Sequence, residues 1–396
     1  MYIHYPIVFI LTLFFVAQLR LPFFTFPIFY IFSALGFLVF ILKLFSNQSN
    51  HFFLKIIFLN SIFMFIYFLC YLANLDGDFL FLREVVLFNF LSIFFLIFLD
   101  FYLRKFEVKI DFVKMTLMVV FFQMMISFFA YINPMFFSFL FGIFPLNLGL
   151  YDLDELAKMR MIVLGIPFFG SAVMGCVFLI WFAHYISKTE ENKIINLILF
   201  LLVATLLVLG ARTNIFGVLL SILIFFNRFS GFKVLLKSVF ILALLFLVIK
   251  NFLLTDKMEE MLKFGFEFIF NYKESQAASS VNGVFDMLKI IPNDYKTWII
   301  GDAYFKSIDG YTYYKDIDVG LLRLIFNSGL VGLIFYFYFH VFVLLNIPED
   351  YLSRLSKVLI FLVFCVLMVK GLANIFPYIM LIYIFSNIKN QTGAVH

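Results

Sequence analysis

Apolar runs long enough to cross a bilayer recur from one end of this chain to the other, with short polar connections between most of them. In hydrocarbon every backbone N–H and C=O must be satisfied within the chain, so such runs fold as helices. About 20 apolar residues suffice for one crossing. A water-soluble domain of 396 residues has too small an interior for a chain that is 64% hydrophobic and only 13% charged. Lipid is therefore the solvent for most side chains. The 64 phenylalanines are spread along the chain, which fits lipid-facing filler and marks no site.

The predicted spans are 5–19, 23–45, 52–73, 79–103, 112–132, 161–186, 194–209, 213–226 and 234–254, then 319–345, 356–369 and 372–387. The last two are short, and read either as two helices or as one kinked at Gly371 and Pro377. The fold class expected is an all-α polytopic integral membrane protein with eleven or twelve transmembrane helices. The net charge of +5 matters less than its placement. With the N-terminus inside, the cytoplasmic connections collect Lys43, Lys55, Arg104, Lys105, Lys109, Lys188, Lys193, Arg228 and more, whereas the short outer ones hold Arg20, Arg83, Lys158, Arg160, Arg212 and Lys370. This is the positive-inside bias, and it puts both termini on the cytoplasmic side. No cleavable signal peptide is visible at the start, so the first run reads as a retained helix. Cys70, Cys176 and Cys365 lie far apart within apolar runs, spaced for packing rather than for a disulfide or a metal.

Three regions follow: helices one to nine over 1–254, a large outer loop over 255–318, and helices ten to twelve with a short cytoplasmic tail over 319–396. Within the loop, 256–272 alternates charges with apolar residues as a surface-lying amphipathic helix does. The stretch 275–283 reads as a flexible break, and 284–291 as a second short helix stopped by Pro292-Asn293-Asp294. A loop of this length with structure of its own points to function.

Charge near hydrocarbon is costly, so ionisable groups gathered at helix ends on one face are the first candidates for chemistry. On the outer face these are Arg160, Arg212, Arg323, Lys370, Asp302, Asp309, Asp316 and Asp318. Arg212 sits in Gly210-Ala211-Arg212-Thr213-Asn214, a tight hairpin tip. Its planar fork of donors suits a phosphate, and a snorkelling interface anchor is the other reading. Arg160 opens the run to Gly165 and Pro167, either as a helix-end charge or as a second phosphate or sugar ligand. Asp318 precedes the tenth span, where it either caps the helix or faces a ligand. Arg323 lies about 7 Å further in at ~1.5 Å per residue, and its charge must find an acid or a polar cavity. Gly329 and Gly332 permit close approach of helices. None of the five histidines falls in an outer loop, and no Cys/His metal spacing is present. The absence of a Gly-Lys-Ser/Thr phosphate loop argues against ATP-driven transport by this chain alone, and the scarcity of charge at mid-depth in spans two to six argues against ion-coupled transport.

These features together resemble the O-antigen polymerase and ligase superfamily. The resemblance rests on an outer Arg160 followed by Gly165 and Pro167, on the Gly210-Ala211-Arg212-Thr213 hairpin, and on a large late outer loop. At that loop's end stand Gly301-Asp302, Asp318-Val319-Gly320-Leu321-Leu322 and Gly329-Leu330-Val331-Gly332. This last run is similar to one found in polymerases of O-antigen and capsule repeat units. Ligase-like members carry a His where this chain has Asp318, so the polymerase branch is the nearer match. Many relatives also place an Arg near 281–284, and this chain has none.

What the resemblance implies is a metal-independent glycosyltransferase of GT-C-like architecture in a bacterial cytoplasmic membrane, needing no cofactor. It would move a growing glycan from undecaprenyl pyrophosphate onto a fresh lipid-linked repeat unit at the outer face. Asp318, Arg212 and Arg160 would be catalytic, Asp318 as general base. Arg323, Asp316, Asp302, Tyr313 and Tyr314 would bind substrate, with Trp298, Tyr304 and Tyr311 as further sugar contacts or interface anchors. Its partners would be the undecaprenyl-pyrophosphate-linked oligosaccharide, membrane lipids, a chain-length regulator and a flippase, with no nucleic acid. An O-antigen ligase is the alternative enzyme, and a repeat-unit flippase or other permease the alternative outside enzymes.

Overall fold

The computed structural model describes residues 4–24, 26–46, 51–146, 160–166, 168–189, 193–226, 276–307 and 312–392. They form an all-helical fold, in which extended pairing among the described residues is confined to the isolated bridges Arg20 with Pro27 and Lys306 with Tyr313. In chain order the helices are α1 (His4–Ala17), α2 (Phe29–Phe45), α3 (His51–Asn74), a π-helical segment (Leu82–Leu87) running directly into α4 (Phe88–Lys105), α5 (Phe112–Ile132) and α6 (Pro134–Ile143). Next come α7 (Phe169–Lys188), α8 (Lys193–Gly210), α9 (Asn214–Phe226), α10 (Gln276–Leu288), α11 (Tyr295–Ile300), α12 (Gly320–Leu345), α13 (Arg354–Lys370) and α14 (Phe376–Thr392). Among the described residues, six helices are long and apolar enough to cross a membrane: α3, the continuous Leu82–Lys105 helix, α5, α7, α8 and α12. Shorter apolar helices include α1, α2, α6 and α9.

Local chemistry sets several boundaries. Asp111 starts α5 by accepting from the N–H groups of Val113 (3.1 Å) and Lys114 (3.0 Å). Asn133 does the same for α6, with Pro134 occupying the first turn where its missing N–H costs nothing.

The chain folds into two compact units, each assembled from distant segments. The first gathers α1, α5 to α9 and the early part of α13. In it α7 and α9 touch backbone to backbone, since a Cβ on Gly217 would lie 2.7 Å from Cys176 Cα. The second gathers α2 to α4, α10 to α12, α14 and the end of α13. Several of its interior polar groups find partners, which an apolar surround favours. Asn60 Nδ2 donates to the Val86 carbonyl (3.1 Å), Asn374 Nδ2 to Asn89 Oδ1 (2.8 Å) and the Tyr336 hydroxyl to the Ala373 carbonyl (2.8 Å).

The structure refines the sequence expectations in several places. The span predicted at 161–186 starts later, because Arg160–Ile166 is non-helical and α7 begins at Phe169. Met161 to Leu164 are nevertheless buried. Leu164 donates its N–H to Ser127 Oγ (2.9 Å) and accepts from Gln123 Nε2 (2.7 Å), both on α5. Residues 276–283 of the predicted break are helical, merged with the start of 284–291 into α10, which ends before Pro292. The C-terminal ambiguity resolves as two helices, α13 and α14, joined by 371–375. The predicted span at 79–103 opens with a π-helical segment. The predicted surface helix at 256–272 and the span at 234–254 lie outside the described residues.

Candidate functional site

In the second unit the late loop is built into a break in α12. Gly329 sits at φ 64°, ψ −169°, a conformation essentially reserved for glycine, and interrupts the helix. A Cβ there would lie 2.1 Å from the Ile299 carbonyl oxygen, and one on Gly301 (φ 74°) 2.5 Å from the Asn327 carbonyl carbon. The loop thus passes against α12 with no room for a side chain at either glycine. Asp302 and Ala303 donate their N–H groups to the carbonyls of Phe326 (2.5 Å) and Asn327 (3.1 Å). Gly329 therefore permits the close approach of the C-terminal end of α11, whereas a Cβ on Gly332 would meet only Ser328 of its own helix. Below, Ile317, Val319, Leu322, Ile325 and Phe326 form a buried apolar floor, with Met287 of α10 and Trp298 of α11 packed on it.

On that floor stand Asp318 and Arg323. The N-cap position of α12 belongs to Val319, and no side chain caps it, so capping does not account for Asp318. Its carboxylate lies 3.7 Å from Arg323 Nη1. Arg323 is buried, with its guanidinium 3.6 Å from the centre of the Tyr313 ring and 4.2 Å from that of Phe305. Such ring contacts hold a cation in a desolvated place. Its Nε is buried and makes no hydrogen bond among the described residues. The Asp318 side chain is 53% exposed, yet desolvation by surrounding protein pushes its carboxyl above the usual carboxylate range, with Arg323 and Lys370 pulling the other way. Burial likewise raises the Tyr313 phenol, against the pull of Arg323.

Asp302 anchors a second cluster in the same unit. Its Oδ1 accepts from Thr297 Oγ1 (2.5 Å) and its Oδ2 lies 3.6 Å from Lys315 Nζ. Lys315 Nζ also lies 4.2 Å from the centre of the Phe326 ring. Lys315 and Asp316 both adopt positive φ (55° and 56°), a tight turn that costs about 1–2 kcal/mol per residue outside glycine. Tyr314 stacks on Tyr304, centroids 5.1 Å apart, and its phenol is pushed up to about 12 by burial and by Asp302. Asp302 is thus already paired, while Asp316 is exposed in the turn.

The first unit holds the other two predicted arginines. Arg160 places its guanidinium 3.8 Å from the centre of the Phe168 ring. Arg212 is half-buried in the α8–α9 turn, where Asn214 N–H donates to the Ala211 carbonyl (2.9 Å). A Cβ on Gly210 would lie 2.6 Å from Val163 and 3.4 Å from Met161, so the turn carrying Arg212 packs against the segment that Arg160 opens. Asp318, Arg323, Tyr313, Asp302, Tyr314 and Asp316 belong to the second unit. Tyr311 and Asp309 lie outside the described residues.

Sequence reasoning missed Asp78, Glu84, Phe305 and Lys306. Asp78 Oδ2 accepts from the N–H groups of Phe305 (2.8 Å) and Lys306 (2.9 Å), while its carbonyl takes the Tyr67 hydroxyl. It thereby fixes the ring that supports Arg323. Glu84 lies 3.5 Å from both Arg83 and Lys306. The turn signal Asp76-Gly77-Asp78 was available; its partner, 227 residues away, was not. Among the described residues, no group of three or more His, Cys, Asp or Glu side chains could hold a metal.

The class these observations define, among the described residues, is an all-helical fold with six helices able to cross a membrane and a buried arginine paired with an exposed aspartate at the head of one of them. Comparison with known protein families, curated proteins and solved structures finds no match.

Proposed function

We propose that this chain is a polymerase of lipid-linked glycan repeat units, working at the outer face of a bacterial cytoplasmic membrane with eleven or twelve transmembrane helices. The reading rests on the resemblance in motif order described above. The observation that carries it is a carboxylate of raised pKa held 3.7 Å from a buried, ring-flanked guanidinium where a long loop enters a membrane-crossing helix. A prenyl diphosphate is already a good leaving group, so the protein's task is to align two amphiphiles, take one proton and stabilise growing phosphate charge. In the proposed step the acceptor hydroxyl oxygen attacks the anomeric carbon of the donor glycan. Its proton passes to Asp318 as the new C–O bond forms. The old C–O bond breaks, and its electron pair leaves with the prenyl diphosphate, whose charge Arg323 meets. Tyr313, Tyr314 and Tyr304 supply ring faces and edges for sugars.

Reconstitution with a synthetic lipid-diphosphate repeat unit tests the proposal. Ladder formation by the wild type, lost in Asp318→Asn, is the expected result. Transfer only to a different lipid acceptor would indicate a ligase instead. Scrambling of labelled lipid across the bilayer without transfer would indicate a permease.

A further inference from the structure

Inside the second unit, α12 carries a histidine that the proposed transfer does not use. His340 is 1% exposed, and its ring is packed among aromatic rings: Tyr336 of its own helix (centroids 4.3 Å apart), Phe364 of α13 (4.8 Å) and Phe376 of α14 (6.5 Å). An ionisable side chain is costly in such a surround and is a candidate for function. Both ring nitrogens face oxygen. Nδ1 lies 2.8 Å from the Tyr336 carbonyl, which can only accept, so Nδ1 carries a proton. Nε2 lies 3.1 Å from Asn374 Oδ1. The orientation of that amide is fixed from two sides. The Phe376 N–H donates to the same oxygen (3.3 Å), and Asn374 Nδ2 donates to Asn89 Oδ1 (2.8 Å). An oxygen facing Nε2 calls for a second N–H, so this arrangement is the one that an imidazolium requires.

Among the described residues no carboxylate balances that charge. Asp100 is the one acidic residue on α3, α4, α12, α13 and α14. It stands on α4 roughly 16 Å beyond Asn89, at ~1.5 Å per residue, and is already paired with Arg104 (2.7 Å) and Lys43 (3.6 Å). The titratable group facing the ring is Tyr336, and the remaining charged residues on these helices are cations, among them Arg323 on α12 and Lys370 on α13. Discharging the ring takes one coordinated change. Without its second proton Nε2 becomes an acceptor, and Asn374 must turn so that Nδ2 faces Nε2 and Oδ1 faces Asn89. Asn89 is fully buried and must turn with it to present Nδ2, which makes no hydrogen bond among the described residues and so has none to lose. In the exchange the Phe376 N–H, at the first position of α14, loses the Asn374 oxygen.

We propose that His340 is a proton-binding site in the interior of the second unit, and that its proton sets the orientation of the Asn374 and Asn89 amides and the capping of α14. The link 371–375 carries the difference to the rest of the unit. Its Ala373 carbonyl takes the Tyr336 hydroxyl (2.8 Å), and a Cβ on Gly320, at the head of α12, would lie 2.3 Å from the Gly371 carbonyl oxygen. Proton uptake is thus felt in the segment against which the Asp318–Arg323 end of α12 packs. Nothing in this depends on what the chain transfers.

The test is nitrogen NMR of the full chain in phospholipid nanodiscs, isotope-labelled at histidine and asparagine, from about pH 4 to about pH 8. The His340 signals are those missing from His340→Gln or, should that variant not fold, those that survive removal of the other histidines one at a time. The ring is expected to be an imidazolium at the acid end and neutral at the alkaline end. The side-chain amide signals of Asn374 and Asn89 are expected to move with the same midpoint. Asn374→Leu takes away the acceptor that the second N–H needs, and is expected to abolish the imidazolium signal over the whole range. A ring that keeps one protonation state throughout overturns the proposal. So do amide signals that stay fixed while the ring titrates, or an Asn374→Leu ring that titrates as the wild type does. None of these readouts involves glycan transfer, so the proton site and the polymerase reading can fail separately.

Discussion

Asp318 is held between opposing influences: desolvation raises its pKa, and the cations Arg323 and Lys370 lower it. The balance falls above the ordinary value of 3.8. A general base works only when ionised, so transfer is expected to fail on acidification at a pH above that value. Lys370→Gln removes one opposing cation and should move this acid limb upward, read from a pH–rate profile of ladder formation. The linked effect on folding has the opposite sense. A raised folded-state pKa means the folded chain holds the proton more tightly, so the contribution is full below the unfolded value and lost as pH rises through the folded one. Arg323→Lys keeps the charge but loses the flat face that lies against Tyr313 and Phe305. It should slow transfer by about tenfold or more, the worth of a desolvated cation–π contact and a bidentate grip. Asp318 and Arg323 could be singled out from spacing alone, five positions apart across a helix start. The Phe305 and Tyr313 rings could not, because their contact with Arg323 depends on how the loop returns.

Among elements, the break in α12 is the joint on which the loop depends. Gly329→Ala would force a Cβ into the Ile299 carbonyl at a conformation other residues avoid. A loss of about 1–3 kcal/mol from strain alone is expected, measured as reduced thermal stability in detergent. At Gly283, in the body of α10, an added Cβ would meet nothing within 4 Å. Gly283→Ala should stabilise that helix by up to about 1 kcal/mol. The contrast separates a glycine required by geometry from one that is not. Helix existence was legible because lipid demands long apolar runs. Local conformation inside those runs was less so. The residues of 161–166 are as apolar as any helix, and only Gly165 and Pro167 hint at the non-helical course seen up to Ile166. The Ala and Ser residues of 275–283 suggested looseness, whereas Ala is the best helix former of all.

For the whole molecule, each unit is drawn from separated stretches: the first includes Glu349–Val363 and the second Phe29–Glu107. Cutting the chain at the borders of the long loop would therefore leave neither unit whole. Sidedness can be checked with the full-length protein. The side chains of Lys289 (75% exposed) and Arg354 (86% exposed) suit single-cysteine labelling. In intact cells Lys289→Cys should react with a membrane-impermeant maleimide, and Arg354→Cys only after permeabilisation. The reverse pattern would remove the outer-face assignment and the glycan-assembly function with it.

The hydrogen bonds from Asp302 and Ala303 into the gap in α12 also constrain motion. If 301–303 were to peel away by itself, the Phe326 and Asn327 carbonyls would be stranded in an apolar interior, at about 1–3 kcal/mol each. On the polymerase reading, substrate entry and release at Asp318 would have a cheaper route in flexing at Gly329 that carries loop and helix head together. The Asp302 and Ala303 amides should accordingly be among the last of the 301–307 stretch to exchange with deuterium.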